Sequence, residues 1–300
     1  MQQTSFIIMG DWGSPENIPQ EIILASTMNK VADQFNTSFV IAVGDNFYDD
    51  GVNSVDDPKW TSLWTDIYTS TLGQLPWLTL MGNHDWKGNP DAQIEYSKIH
   101  PRWQMPDYFY EKVISVGEAT VAFIFVDTNL FQYGYDHKYY AKKFADRGWS
   151  KQNKTIERQL SWIESKLVLH QDKDYIFVVG HHNLNVCDIA DGMLPLDDLL
   201  MKYKPTAYIF GHKHTLRHSE RGSTMFILSG AAGLGDEECD ETQGPGWAMN
   251  PKGLGFVHAR ITPAAFMIDY TSIAGNILYS ASASPKRKQL PSIPVYRKAD

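Results

Sequence analysis

Five apolar segments of this 300-residue chain end in the same way, and this repeated ending constrains the fold more than any other feature. Each segment has the length of a buried strand and is followed by a glycine and then by side chains that bind metals: Gly10-Asp11, Gly44-Asp45, Gly82-Asn83-His84, Gly180-His181-His182 and Gly211-His212-Lys213-His214. In open α/β sheets, functional side chains gather at the carboxyl ends of the strands. Glycine permits a sharp turn and the close approach of other groups there. The pattern therefore predicts a site at one edge of a sheet, built from five separate segments.

The residues between these endings alternate between strand and helix patterns. Apolar residues recur every three or four positions over residues 20–35 and 156–169, which predicts two helices. Residues 113–128 have the pattern of two strands around a Gly-Glu turn, and the segment from residue 253 onward has that of antiparallel hairpins. The alternation predicts an α/β fold.

Neither an internal repeat nor a linker-like break divides the chain, so we predict one domain over residues 1–281. Residues 282–300 are rich in Pro, Ser and basic side chains, which is typical of a loosely held tail. The net charge of −8 does not indicate a basic surface for binding nucleic acid, so we expect no nucleic-acid partner. An apolar stretch of 18 or more residues is absent, so we expect no transmembrane segment.

Weaker sequence signals concern secretion, glycosylation and disulfide formation. The sequons at Asn36 and Asn153 hint at secretion and glycosylation. No secretory hydrophobic region precedes the first strand, although a removed leader would leave the same appearance. Cys187 and Cys239 either pair as a disulfide or remain two inert thiols.

The motifs GDWG, GDNFY, GNHD, VVGH and GHKH, in this order, resemble those of the purple acid phosphatases, within the calcineurin-like metallophosphoesterases. Further segments, among them PWLTLMGNHD and RQLSWIESKL, are similar to the small, tartrate-resistant type. The resemblance covers residues 4–235 well and the remainder loosely. It implies a four-layer fold, in which a β-sandwich of two mixed sheets is flanked by helices. It also implies a secreted, lysosomal or vacuolar-type location.

The resemblance implies two metal ions held by seven side chains. The first ion would be bound by Asp11, Asp45, Tyr48 and His214, and the second by Asp45, Asn83, His181 and His212. Two carboxylates and a phenolate suit a hard ion, whereas imidazoles suit zinc or iron(II). We therefore expect Fe(III) in the first site and divalent Fe, Zn or Mn in the second.

Tyr48 and Gly13 support the purple type in particular. The related enzymes without the purple colour usually carry Asp-x-His in the first motif, and here the histidine position is Gly13. Tyr48 would take the place of that histidine as an iron(III) phenolate. Considered by itself, Tyr48 could equally be a tyrosine packed near a turn.

The chemistry implied is hydrolysis of phosphate monoesters by a metal-bound hydroxide, with His84 as the general acid for the leaving alkoxide. His182 either binds phosphate or packs under the site. Asp191 is predicted to contact substrate. We interpret Asp85 as a residue that orients a histidine, and Asp127 as structural.

Two other functions are compatible with the same motifs. One is a catalytically weak scaffold or anchor protein on the same fold. The other is a phosphodiesterase or nucleotide hydrolase. The sequence leaves open the physiological substrate and the oligomeric state.

Overall fold

The computed structural model describes residues 2–185, 189–235, 246–249 and 252–286, which form two seven-stranded mixed sheets flanked by helices. The strands are β1 (Thr4–Met9), β2 (Phe39–Ala42), β3 (Trp77–Thr79), β4 (Trp103–Gln104), β5 (Tyr110–Val116), β6 (Ala119–Phe125), β7 (Tyr175–Val179), β8 (Ala207–Phe210), β9 (Leu216–Arg221), β10 (Thr224–Ser229), β11 (Gly246–Ala248), β12 (Gly255–Ile261), β13 (Phe266–Ser272) and β14 (Ile277–Ala283). The helices are α1 (Ile18–Phe35), α2 (Asn83–Lys87), α3 (Pro90–Ile99), α4 (Asn129–Tyr133), α5 (Ala141–Asp146), α6 (Thr155–Leu169) and α7 (Leu194–Tyr203).

Each sheet combines a parallel centre with antiparallel edges. The first sheet has the order β14-β13-β12-β1-β2-β3-β4, and its four strands from β1 to β4 are parallel. The second sheet has the order β11-β9-β10-β8-β7-β6-β5, with β6, β7, β8 and β10 parallel. Neighbouring parallel strands have their carboxyl ends at the same edge of a sheet. The five predicted motifs follow β1, β2, β3, β7 and β8 at these ends.

The two sheets face each other across a buried apolar layer. Side chains alternate along β1, so Phe6 and Ile8 point between the sheets while Ile7 and Met9 point to the outer face. The helix α1 covers that outer face with Leu24 and Met28. The helices α6 and α7 cover the outer face of the second sheet. The predicted four-layer α/β sandwich is confirmed.

The two predicted helices are observed as α1 and α6, each beginning within two residues of the predicted start. The strand pair β5 and β6 and the hairpin of β12 and β13 also follow the predicted patterns. In the strand β14, Ile277 and Leu278 are exposed at the sheet edge, whereas Tyr279, Ala281 and Ala283 alternate with serines and pack against the layer between the sheets. The strand runs through the predicted domain boundary at residue 281 and ends at Ala283.

Several other expectations can be placed on the structure. Asn36 and Asn153 of the two sequons are both exposed, and their glycosylation stays a prediction. Cys187 and Cys239 lie outside the described residues, as do residues 287–300 of the predicted tail. Within the described parts of the chain, no helix combines the length and the apolar character needed to cross a bilayer.

Candidate metal centre

The four side chains predicted to hold the first metal converge at the edge where β1 and β2 end. The Tyr48 hydroxyl lies 3.3 Å from Asp11 Oδ1, 3.2 Å from Asp45 Oδ2 and 3.1 Å from His214 Nε2. His214 Nε2 lies 3.7 Å from Asp11 Oδ1. The four donors therefore surround one small volume.

The second predicted set meets on the other side of Asp45. Asn83 Oδ1 lies 3.2 Å from His181 Nε2 and 2.9 Å from His212 Nδ1. His181 Nε2 lies 3.4 Å from Asp45 Oδ2, the same oxygen that faces Tyr48. One carboxylate oxygen is thus common to both ligand sets, as expected of a bridging residue.

These distances fit the edges of metal coordination polyhedra. Ligands bound about 2.1 Å from one ion lie about 3.0 Å apart in octahedral geometry and about 3.4 Å apart in tetrahedral geometry. The first set offers three anionic oxygens and one imidazole, and the second offers an amide, two imidazoles and the shared carboxylate. The residues present therefore fit a pair of metal ions.

Three of the predicted ligands have a positive φ angle, which is uncommon for residues other than glycine. The φ angles of Asp11, Asp45 and His212 are 58°, 49° and 71°. Left-handed backbone costs a residue with a Cβ roughly 1–2 kcal/mol, and such strain concentrates at functional sites. The fold holds these three side chains against their local preference.

Gly82 and Gly13 are required by close packing around the ligands. A Cβ on Gly82 would lie 2.1 Å from Asp45 Oδ1, so only glycine leaves room for the shared carboxylate. Gly13 has a φ of +65°, and a Cβ there would lie 2.2 Å from the backbone oxygen of Asn46. A histidine in the position of Gly13 would not fit this backbone.

Asp85 has a different role from the predicted one. Its carboxylate accepts hydrogen bonds from the backbone N–H groups of Asn46 and Gly82 and from the side chain of Gln93, rather than from a histidine. It thereby ties the loop after β2 to the loop after β3. Burial and the nearby Asp45 raise the pKa of Asp85 to about 7.

The side chains of Asp45 and His181 attract each other within the centre. Burial disfavours charge on both, yet their mutual attraction outweighs it, lowering the pKa of Asp45 and raising that of His181 to about 9. Burial raises the pKa of the Tyr48 phenol, and the carboxylates of Asp45 and Asp11 raise it further. A cation would have to displace protons from both His181 and Tyr48.

His84 lies at the edge of the first set. Its ring centroid is 4.3 Å from that of Tyr48, and its backbone N–H donates to Asp45 Oδ1 over 2.7 Å. Its Nδ1 lies 2.6 Å from the backbone oxygen of Asp49, which can only accept, and this shorter contact assigns a proton to Nδ1. The Lys87 ammonium lies 3.1 Å from the same nitrogen. Burial lowers the pKa of His84, and Lys87 lowers it further.

His182 is fully buried beside the second set. Its ring centroid lies 4.6 Å from that of His212 and 4.9 Å from that of His181. Its Nδ1 lies 2.7 Å from the Thr128 hydroxyl. The sequence pattern did not single out Thr128, although it follows β6 in the same way that the ligands follow their strands.

The structure does not join Asp191 to this cluster. Asp191 is exposed on a short 3-10 turn before α7, and among the described residues no hydrogen bond links it to the other predicted site residues. Asp127 has the predicted structural role, because it accepts hydrogen bonds from Trp86 Nε1 and from the backbone of Asn129.

Glu21 is a supporting residue that sequence reasoning missed. It is buried on α1 and accepts hydrogen bonds from the backbone N–H groups of Gly13 and Ser14 and from the Tyr68 hydroxyl. Burial raises its pKa to about 7. It therefore holds the loop that carries Asp11. Its place among the apolar residues of a helix face was the only available signal.

The fold and the candidate centre match those of one protein family. The family model for calcineurin-like phosphoesterases matches residues 4–216, and the chain belongs to that family. Within it, the chain is 31% identical over 306 residues to purple acid phosphatase 7 of Arabidopsis thaliana, covering 95% of this chain and 88% of that one. It is 32% identical over 305 residues to tartrate-resistant acid phosphatase type 5 of Oryctolagus cuniculus, covering 94% and 91%. The predicted resemblance to purple acid phosphatases of the tartrate-resistant type is confirmed.

Solved structures show the same fold at lower sequence identity. GAP50, the anchor in the inner membrane complex of Plasmodium, matches with a TM-score of 0.76 and 23% identity, over 95% of this chain and 90% of that one. Purple acid phosphatase PPD1 from yellow lupin matches with a TM-score of 0.64 and 14% identity, over 94% and 54%.

Proposed function

We propose that this protein is an acid phosphatase that hydrolyses phosphate monoesters at a dinuclear metal centre. The single observation that carries the proposal is the convergence of all seven predicted donors, with one oxygen of Asp45 shared between the two sets. A scaffold without catalysis has no need for this complete set. The strained backbone at Asp11, Asp45 and His212 also supports a functional site.

In this proposal, Asp11, Asp45, Tyr48 and His214 hold Fe(III), and Asn83, His181 and His212 hold divalent Fe, Zn or Mn together with Asp45. When bound, the metal pair would stabilise negative charge on the phosphoryl oxygens and activate water for attack. The phenolate and two carboxylates of the first set offset the charge of a trivalent ion within a buried site. Tyr48 has to lose its proton for this role, and a trivalent cation provides the electrostatic reason for that loss.

His84 would supply the proton that the leaving alkoxide needs. Because Nδ1 donates to the backbone oxygen of Asp49, Nε2 is the ring nitrogen from which a proton can be transferred. The lowered pKa of His84 means that the doubly protonated ring, which can act as the acid, is populated at acidic pH. Asp191 stays a candidate for substrate contact from the rim.

The proposal is tested with protein loaded with iron and a divalent metal, using an aryl phosphate monoester at pH 5. We expect turnover, and we expect Asp45→Asn to lower kcat/KM by about 10²–10⁴-fold because both metals lose their shared ligand. Asp56→Asn, an exposed carboxylate away from the centre, is the matched control and should retain full activity. Metal binding without turnover would instead support the scaffold function, and a preference for bis-esters would support a phosphodiesterase.

A further inference from the structure

The Thr128 hydroxyl determines which nitrogen of His182 carries the proton. Thr128 Oγ1 accepts hydrogen bonds from the backbone N–H groups of His181 and His182, over 3.3 Å and 3.2 Å. It also lies 2.7 Å from His182 Nδ1. A hydroxyl has two lone pairs and one proton. Since the two backbone groups occupy the lone pairs, the hydroxyl proton points to His182 Nδ1.

If the Thr128 hydroxyl donates to Nδ1 of His182, then Nε2 of His182 is a buried hydrogen-bond donor. A neutral imidazole that accepts at Nδ1 carries its proton on Nε2. The side chain of His182 is fully buried, and its Nε2 has no hydrogen-bond partner among the described residues. A buried donor without a partner costs about 1–3 kcal/mol. A ligand oxygen at this position would give the buried N–H its missing partner.

His182 lies at the centre rather than away from it. One ring nitrogen of each of His181, His182 and His212 lies within 4.8 Å of the others. His181 has the opposite arrangement, because its Nδ1 lies 2.8 Å from the backbone oxygen of Val43 and has to donate to it. Once His181 has lost its second proton to a metal, its lone pair is therefore on Nε2, where the metal would bind, whereas His182 presents N–H from its Nε2.

We propose that His182 is not a ligand of either metal and instead donates its Nε2–H to an oxygen of a tetrahedral oxyanion at the centre. This inference rests on the proposed function, in which that oxyanion is the phosphoryl group of the substrate or the inorganic phosphate product. The neutral Nε2–H of His182 can bind an anionic oxygen without competing with the second ligand set for its metal ion. Thr128 acts as a positioning residue, since it fixes both the ring and its tautomer.

The tautomer can be measured directly in the wild-type protein. The protein is labelled with ¹⁵N-histidine and loaded with Zn²⁺, and nitrogen chemical shifts identify which ring nitrogen of each histidine carries hydrogen. We expect His182 to be protonated on Nε2 and His181 on Nδ1. A His182 proton on Nδ1 would overturn the proposal without any mutation.

The donor is tested by binding inorganic phosphate to the metal-loaded protein and measuring its Kd by calorimetry. His182→Phe keeps a planar ring and removes the donor, so we expect the Kd to rise about 10- to 100-fold with both metals retained. His182→Gln, which keeps an amide donor, should lose less affinity and guards against a folding defect in the first variant. His100→Phe is the matched control, since His100 also packs on aromatic rings and its Nδ1 has no hydrogen-bond partner in the described part of the chain.

The outcomes separate the alternatives. An unchanged phosphate Kd in His182→Phe would show that His182 only packs under the site, and loss of the second metal would show that it is a ligand. Either result overturns the proposal. If phosphate binding depends on His182 but no monoester is hydrolysed, the proposed function fails while this inference stands.

Discussion

The Tyr48 hydroxyl lies 3.2 Å from Asp45 Oδ2, so two side chains only three residues apart meet at one point of the candidate centre. The loop that joins them turns back on itself, and both side chains are almost fully buried. A neutral phenol and a carboxylate form a hydrogen bond there, whereas a bound cation would be contacted by both oxygens. This relationship makes Tyr48 the most direct test of the first metal site.

Tyr48→Phe removes the phenolate donor while keeping the ring. We expect the iron-loaded wild-type protein to absorb visible light through an iron(III)–phenolate transition and the variant to lose that band. Absorption spectra recorded at equal iron content provide the measurement. Tyr140→Phe is the control, because the Tyr140 hydroxyl donates to the backbone oxygen of Asn83 and is outside the ligand set. If the absorption band is still present in Tyr48→Phe, Tyr48 is not a ligand of the iron.

The loss of activity in His84→Gln should depend on the leaving group of the substrate. Alkyl phosphates release a basic alkoxide that needs a proton, so we expect kcat to fall about 10²–10⁴-fold on them. Nitrophenyl phosphate releases a weakly basic phenolate and should be affected far less. Steady-state kinetics on both substrates provide the measurement, and an equal loss on both would show that His84 is not the general acid.

Gly13→Ala should destabilise the protein more than glycine replacement alone explains. Gly222 has a similar φ of +64°, but no atom of the described residues lies within 4 Å of a Cβ placed there, so Gly222→Ala reports the backbone cost of roughly 1–2 kcal/mol. Gly13→Ala has the same backbone cost, and its methyl group also clashes with Asn46. We therefore expect the free energy of unfolding to fall by about 3 kcal/mol or more. Urea denaturation of both variants checks the difference. Equal losses would show that the loop after β1 yields to the added methyl group.

Glu21 should make the metal-free protein more stable in mild acid than at neutral pH. Its pKa rises from 4.5 in the unfolded chain to about 7 in the folded protein. The stability that its protonation contributes is fully present below pH 4.5 and is lost as the pH rises through 7, a change of about 3 kcal/mol.

Glu21→Gln removes this titration, so the difference in free energy of unfolding between wild type and variant should change in the variant's favour by about that amount from pH 4.5 to 7.5. The measurement is urea denaturation in the presence of a chelator. Glu16→Gln, at an exposed position, is the control and should leave the pH profile unaltered. A pH-independent difference for Glu21→Gln would show that Glu21 titrates normally in the folded protein.

The sequence by itself determined the fold class, and it was enough to predict seven metal ligands whose side chains converge in the structure. Apolar strands that end in glycine and a polar side chain are a local pattern, and the covalent chain fixes which donor follows which strand. The periodicity of α1 and α6 is equally local, so both helices could be predicted closely. The edge strand β14 is harder to predict, because Ala281 and Ala283 differ little in apolar character from the serines between them.

Only the tertiary structure decided what contacts each donor. Asp85 was expected to orient a histidine and instead joins two loops, and Asp191 was expected at the substrate but is not joined to the cluster. Thr128 and Glu21 gained their roles only through folding, because a hydrogen bond depends on which group from a distant segment is brought within about 3 Å. Residue spacing along the chain carries no such distance, whereas packing of the two sheets fixes it.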